Sequence, residues 1–146
     1  VEFNVIVSWL ALYHIPRREH LLQKCNKLLK KQGIFYADDF YERRPFNSLE
    51  RDKVYSEIYV QYLPTWGQYQ KDMVDAGLDL VIVEDMSEAW TVYTAERLNL
   101  FIENKDRHLR VHGKVIFDTM CSFYKIMSQL FSGGKLGGIR IMACKK

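Results

Sequence analysis

The densest run of apolar positions in the chain lies near its start. Val5-Ile6-Val7-Ser8-Trp9-Leu10-Ala11-Leu12-Tyr13-His14-Ile15-Pro16 reads as a buried strand running into a loop that carries aromatics and an imidazole. Such near-continuous apolar character suits a central parallel strand covered by helices on both faces, with its carboxyl end open to a ligand crevice. The period then changes. Leu21, Leu22, Cys25, Leu28 and Leu29 form one stripe of a helix predicted over Arg17 to Lys31. Glu19 stands in its first turn and Lys27, Lys30 and Lys31 in its last, as the helix dipole favours. Gly33 leads into a second strand, Ile34 to Asp39, and strand–helix–strand makes a right-handed βαβ unit.

Downstream, Tyr55, Ile58, Tyr59 and Tyr62 recur at helical spacing as an aromatic stripe. Thr65 and Gln68 read as a capping box for a helix that passes Tyr69, Met73 and Val74 and stops at Gly77. A third strand follows at Leu80 to Asp85. Ser87 reads as the cap of a long helical insertion reaching His112, with Trp90, Tyr93 and Arg97 on one side and Leu98, Phe101, Ile102 and Leu109 on an apolar face. A last helix runs from near Val115 to Phe131, with Ile116, Met120, Phe123, Met127 and Leu130 turned inward. Ser132 to Gly138 turns the chain into a final strand, Ile139 to Ala143.

The totals exclude more than they assign. A length of 146 residues is one domain or less, and a net charge of +3 is too small to argue for nucleic acid or a membrane surface as partner. No apolar run is long enough to cross a bilayer. Cys25, Cys121 and Cys144 are odd in number and far apart, which fits reduced thiols in a cytoplasmic protein. His108 and His112 share a helix face at zinc-compatible spacing. No glutamate lies between them and no third ligand is evident, so no metal is expected.

Candidate chemistry gathers at the strand ends. Asp38 and Asp39 close the second strand, and alternation sends adjacent side chains to opposite faces, so at most one enters the crevice. One meets a cationic ligand there, or one caps the next turn and the other is solvated. The tyrosine stripe is either core or a ring of cation–π donors around a methylammonium group. Trp90 directly follows a strand end and is placed to face the crevice. A central first strand needs neighbours on both sides, and the sequence supplies too few strands to provide them. No glycine-rich turn of the kind that receives a nucleotide-like ligand follows any strand.

The "VSWLALYHIP" strand end, the "LLQKCNKLLKKQGIFYADDFY" helix–strand unit and the "WTVYTAERLNLFIENKDRH" stretch resemble the second half of a class I S-adenosylmethionine-dependent methyltransferase. The likeness is to the phosphoethanolamine and sarcosine/dimethylglycine N-methyltransferases and spans the whole chain. It implies an α/β fold: the C-terminal part of a Rossmann-like sheet, three parallel strands plus a final antiparallel one, with helical insertions as a lid. The cofactor-binding half, with its glycine loop, is then expected upstream of Val1. S-adenosylmethionine is the implied cofactor, with Ser8, Trp9 and Leu10 on its side of the site. His14 matches a histidine that phosphoethanolamine methyltransferases use beside an aspartate four residues earlier, a position held here by Leu10. Hydrogen bonding at a strand–loop junction is the other role open to His14. Phe40 stands where that family has tyrosine, and its phosphate-binding arginine and lysine have no secure counterpart. These departures point to a different small acceptor, an amine or a hydroxyl. Tyr13, Asp39, Tyr41, Tyr55, Tyr59, Tyr62 and Trp90 are the expected acceptor-side residues. Two competing expectations are a truncated, non-catalytic protein whose exposed sheet edge pairs with a partner or a second copy as a homodimer, and a small-molecule or lipid binding module without chemistry.

Overall fold

A computed structural model describes residues Val1–Lys146. The chain forms β1 (Phe3–Trp9), a short 3-10 turn (Leu12–His14), α1 (Arg18–Leu28), β2 (Leu29–Glu42), α2 (Ser48–Glu57), α3 (Trp66–Asp75), β3 (Leu78–Asp85), α4 (Ser87–Glu103), α5 (Lys105–Ser132) and β4 (Leu136–Lys145). The strands make one mixed sheet in the order β1-β2-β4-β3. β1 and β2 pair in parallel, and β4 runs antiparallel to both of its neighbours. Because β4 lies between β2 and β3, β1–β2 is the one parallel pair.

β2 is the spine. Phe35, Ala37, Asp39 and Tyr41 are buried on one side, whereas Ile34, Tyr36 and Asp38 are half-buried on the other. The first set packs with Ile139, Ile141 and Ala143 of β4, Leu22 of α1, and Tyr69 and Met73 of α3. Side chains this completely buried contribute about 1.5–3 kcal/mol each, so this cluster holds α1 and α3 against the sheet. A second cluster sits beyond the carboxyl end of β2. There Tyr13, Phe40, Phe46, Val54 and Ile58 meet Ile126, Met127, Leu130 and Phe131 of α5.

Several elements depart from expectation, each for a physical reason. β1 is an edge strand with Phe3, Val5, Val7 and Trp9 exposed, not a buried central one. Helices α1 and α3 cover only the opposite face of the sheet, and Val7, Tyr36, Met142 and Ile82 lie in one register row across the uncovered face. α1 ends at Leu28, before Lys31, because Leu29 is already extended and wholly buried in the sheet. The aromatic stripe is broken. α2 stops at Glu57, Tyr59 has a positive φ of 59°, and Tyr62 lies in the following loop. Thr65 caps α3 by accepting from the Gln68 N–H, but the Gln68 amide reaches forward to Asp72 instead of back. The reciprocal capping box is at Asn47 and Glu50, which start α2. Met86, rather than Ser87, occupies the position before α4, and the long insertion is divided at Asn104 and again at Gly113 (φ 79°, ψ 169°). Only glycine readily adopts that last conformation.

Candidate functional site

The carboxyl ends of β1 and β2 open beneath α4 and α5 onto a cavity of about 610 Å³. Trp9, Leu10, Asp38 and Phe40 come from the strand ends, Ala89, Trp90, Tyr93, Thr94 and Arg97 from α4, and Phe123, Tyr124, Met127 and Phe131 from α5. Local structure explains this convergence. Leu10 takes a left-handed conformation (φ 49°), and its N–H donates to the Asp38 carbonyl at 2.8 Å, so the turn after β1 is fastened to β2. Trp90 reaches the sheet because β4 carries glycine there: a Cβ on Gly138 would lie 2.2 Å from the indole. Gly137 is under the Tyr41 ring in the same way, at 2.3 Å. Trp90 and Phe131 then stand edge-on around Phe40, at centroid distances of 5.9 and 5.8 Å from it.

Alternation divides the carboxylate pair. Asp38 lines the cavity but is already engaged: Arg140 donates to both its oxygens, at 2.9 and 3.0 Å, and the Tyr36 hydroxyl donates at 3.1 Å. The hydrogen bond from Arg140 to Asp38 raises the guanidinium's pKa, and the pair leaves little net charge on the cavity floor. Asp39 points into the opposite layer and is fully buried. There it accepts from Arg18 (3.2 Å), the Tyr69 hydroxyl (2.9 Å) and the Tyr13 N–H (3.3 Å). Burial pushes its carboxyl up, against the opposing charge of Arg18 and these donors. Asp39 therefore ties the Leu12–His14 turn to α1 and α3. The Nε and Nη1 atoms of Arg18 are buried without partners, and its guanidinium lies 4.9 Å from the Tyr69 ring centroid and 5.2 Å from that of Tyr62.

His14 sits on that turn, exposed, with Nδ1 3.0 Å from the Tyr59 carbonyl. A carbonyl only accepts, so the ring carries a proton on Nδ1 when this bond forms, and in the neutral ring the lone pair is then on Nε2. Tyr13 is buried between His14 and Phe40, its hydroxyl pushed up to about 12 by burial and then by Asp39. Neither His14 nor Tyr13 lines the aromatic cavity. Tyr41 is buried and donates to Asp85 at 3.1 Å. Tyr55 and Tyr59 are exposed. The Tyr62 hydroxyl donates to Asp72 at 2.8 Å, beside a separate polar cleft that Arg17 and His20 also line. Ser8 is half-buried in β1 just before the cavity mouth. Of the residues singled out from sequence, the cavity brings together Trp9, Leu10, Asp38 and Trp90, joined by Phe40. Sequence reading did not assign Tyr93, Thr94, Arg97, Phe123, Tyr124, Met127 and Phe131 to the site. Trp90, Tyr93, Thr94 and Arg97 share one helical stripe, and Gly138 opposite Trp90 was the signal that this stripe meets the sheet. No group of three or more His, Cys, Asp or Glu side chains is placed to hold a metal ion, and no helix is long and apolar enough to cross a membrane.

No protein-family model and no curated protein sequence matches this chain. Solved structures do match it. A sarcosine dimethylglycine methyltransferase candidate from Galdieria sulphuraria superposes with a TM-score of 0.86 at 15% identity, over 99% of this chain and 53% of its own. Phosphoethanolamine N-methyltransferase 2 of Haemonchus contortus, in complex with phosphomonomethylethanolamine and S-adenosylhomocysteine, gives 0.86 at 19% identity, over 98% and 33%. A cyclopropane synthase from Mycobacterium tuberculosis gives 0.86 at 14%, over 99% and 56%. The chain has the α/β fold of these proteins, a mixed sheet with helices, and spans from a third to somewhat over half of their lengths.

Proposed function

We propose that this chain is the acceptor-side half of an S-adenosylmethionine-dependent methyltransferase, acting on a small molecule whose methylated atom is an amine nitrogen. The observation that carries the reading is the aromatic cavity at the carboxyl ends of β1 and β2, in a fold shared with methyltransferases. In this reading β1, β2 and β3 are parallel members of a larger sheet. A cofactor-binding half packs against the open edge of β1 and the apolar row of Val7, Tyr36, Met142 and Ile82. Ser8, Trp9 and Leu10 fit one wall of the cofactor site, because they end a parallel strand where such ligands lie. They cannot enclose it alone, since no glycine-rich turn follows a strand in these 146 residues. Without that half, the free edge is open to a second copy of the chain.

S-adenosylmethionine, when bound, supplies an electrophilic methyl group on a sulfonium. The chain's residues hold the acceptor with its lone pair toward Leu10 and exclude water. Phe40, Trp90 and Tyr93 present ring faces that attract a substituted ammonium by cation–π contact. A secondary amine acceptor would have to shed a proton on gaining the methyl group. His14 stands outside the cavity wall and would take it on Nε2 through a bridging water, its Nδ1 held by Tyr59. The unpaired cysteines fit the reducing cytoplasm.

Calorimetric titration with S-adenosylmethionine tests the division of labour. The 146-residue chain is expected not to bind saturably, whereas a protein extended upstream by a strand and glycine-rich turn binds. Saturable binding by the chain alone overturns the half-domain reading. In the extended protein, His14→Ala is expected to lower kcat for amine methylation by about 10²-fold, the lower end of what a positioned base contributes. Absence of transfer to any amine, with cofactor bound, overturns the catalytic reading.

A further inference from the structure

A second cleft, of about 400 Å³, adjoins the aromatic cavity, and the two share Arg97 and Tyr124 as walls. It lies between α4 and α5, with walls from α5 on both sides of the Gly113 kink. Phe101 is its buried anchor, with His108 stacked on one side (4.3 Å) and Phe117 on the other (5.1 Å). Its charged walls are cationic only: Arg97 and Arg107, joined by the imidazoles of His108 and His112 and the Asn104 amide. The acidic residues of the same helices, Glu88, Glu96, Glu103, Asp106 and Asp118, are not among its walls, and neither Arg97 nor Arg107 has a carboxylate within 4.0 Å. The contrast with Arg18 and Arg140 is chemical: those guanidiniums are matched by carboxylates, these are not. Arg97 instead lies 5.7 Å over the Tyr124 ring at the junction of the two chambers.

We infer that the ligand is an amphiphile with a phosphate-type oxyanion at one end, received by Arg97 and Arg107, and an apolar body in the aromatic cavity. The order of chambers fixes its direction. Trp9, Leu10 and Asp38 stand at one end, the rings of Phe40, Trp90, Phe123 and Phe131 in the middle, and the arginines at the far end. Guanidinium groups suit this task because they offer paired donors to an oxyanion. The inference rests on the methyltransferase reading only for which end of the ligand reacts; the binding polarity stands on the two joined chambers.

Calorimetry on the 146-residue chain, repeated on the upstream-extended protein, tests it with decyl phosphate, decanol, decyltrimethylammonium and inorganic phosphate. Decyl phosphate is expected to bind at least about tenfold more tightly than each of the others, as one charge-assisted contact allows. Arg107→Gln, outside the aromatic cavity, is expected to abolish that preference without weakening decanol, and Arg97→Gln, which walls both chambers, to abolish the preference. Both positions are exposed, so folding should survive. Phe123→Ala is expected to weaken decyl phosphate and decanol alike. Equal affinity for decyl phosphate and decanol, tighter binding of decyltrimethylammonium, inorganic phosphate as tight as decyl phosphate, or an unchanged preference in both arginine variants each overturns the proposal. Methylation of simple amines without phosphate selectivity would sink this inference alone. Selective binding by a protein that transfers no methyl group would sink the enzyme reading alone.

Discussion

Asp38 and Asp39 are neighbours in sequence and opposites in environment. The first faces the cavity under a bidentate arginine; the second is sealed between α1 and α3. A buried ion pair is a weak source of stability while intact, but removing one member strands the other. Arg18→Met is therefore expected to destabilise the protein by about 3–5 kcal/mol in urea unfolding at neutral pH. Burial already raises the Asp39 carboxyl, and loss of Arg18 raises it further. The deficit should then be smallest in acid, where Asp39 is protonated, and grow as pH rises through the raised value. Asp85 has the opposite sign. Burial pushes its carboxyl up, but the Ser87 hydroxyl, the Ser87 N–H, the Tyr41 hydroxyl and Arg43 together hold it below its ordinary value. Its stabilisation is fully present above the ordinary carboxylate range and is lost as pH falls through the lowered value. Asp85→Asn should accordingly be less stable than the parent at neutral pH, with the gap closing in strong acid, as thermal unfolding across pH would measure.

At the scale of elements, strands and helices were legible wherever one face of each is buried. The β2 alternation, Leu22 of α1 and Met127 and Leu130 of α5 read directly from spacing, whereas Leu28 and Ile116, expected inward, are exposed and Leu29 belongs to β2. β1 read as central because its apolar residues occupy both faces, which is what a covered strand requires; the sequence pattern cannot say which covering elements are in the same chain. The tyrosine stripe failed because Tyr59 adopts a positive φ, a backbone choice that periodicity does not encode. Gly137 and Gly138 read as part of a turn, yet both lie inside β4 (Leu136–Lys145), where they make room for Tyr41 and Trp90. Glycine is usually a weakness in a strand, and here it marks close approach of two rings. Gly138→Ala is expected to cost about 1–3 kcal/mol through overpacking and to displace Trp90 from the cavity wall. A changed Trp90 fluorescence, read in a variant where Trp9 and Trp66 are phenylalanine, with a lowered unfolding midpoint would report both.

For the whole molecule, the sequence conveyed the order of elements and the position of the crevice at the strand ends. It did not convey which residues of α4 and α5 wall the cavity beyond Trp90, because an apolar period marks a helix face without naming what packs against it. Nor did it convey the sheet order. The strand written last is threaded between β2 and β3, joining Ile34–Glu42 on one side to Leu78–Asp85 on the other. Translation delivers β2 and β3 long before β4. Throughout that interval the two have no common partner, and the edges they hold open for β4 are free to pair wrongly, with each other or with a neighbouring nascent chain. The sheet thus closes only after the ribosome has completed residues 136–145, and β4 must insert between strands already held by α1 and α3. Its contacts, separated by a hundred residues or so from β2, belong to the slow class of pairings. A chaperone that shields the β2 and β3 edges during synthesis would act on this step more than on any helix of the molecule.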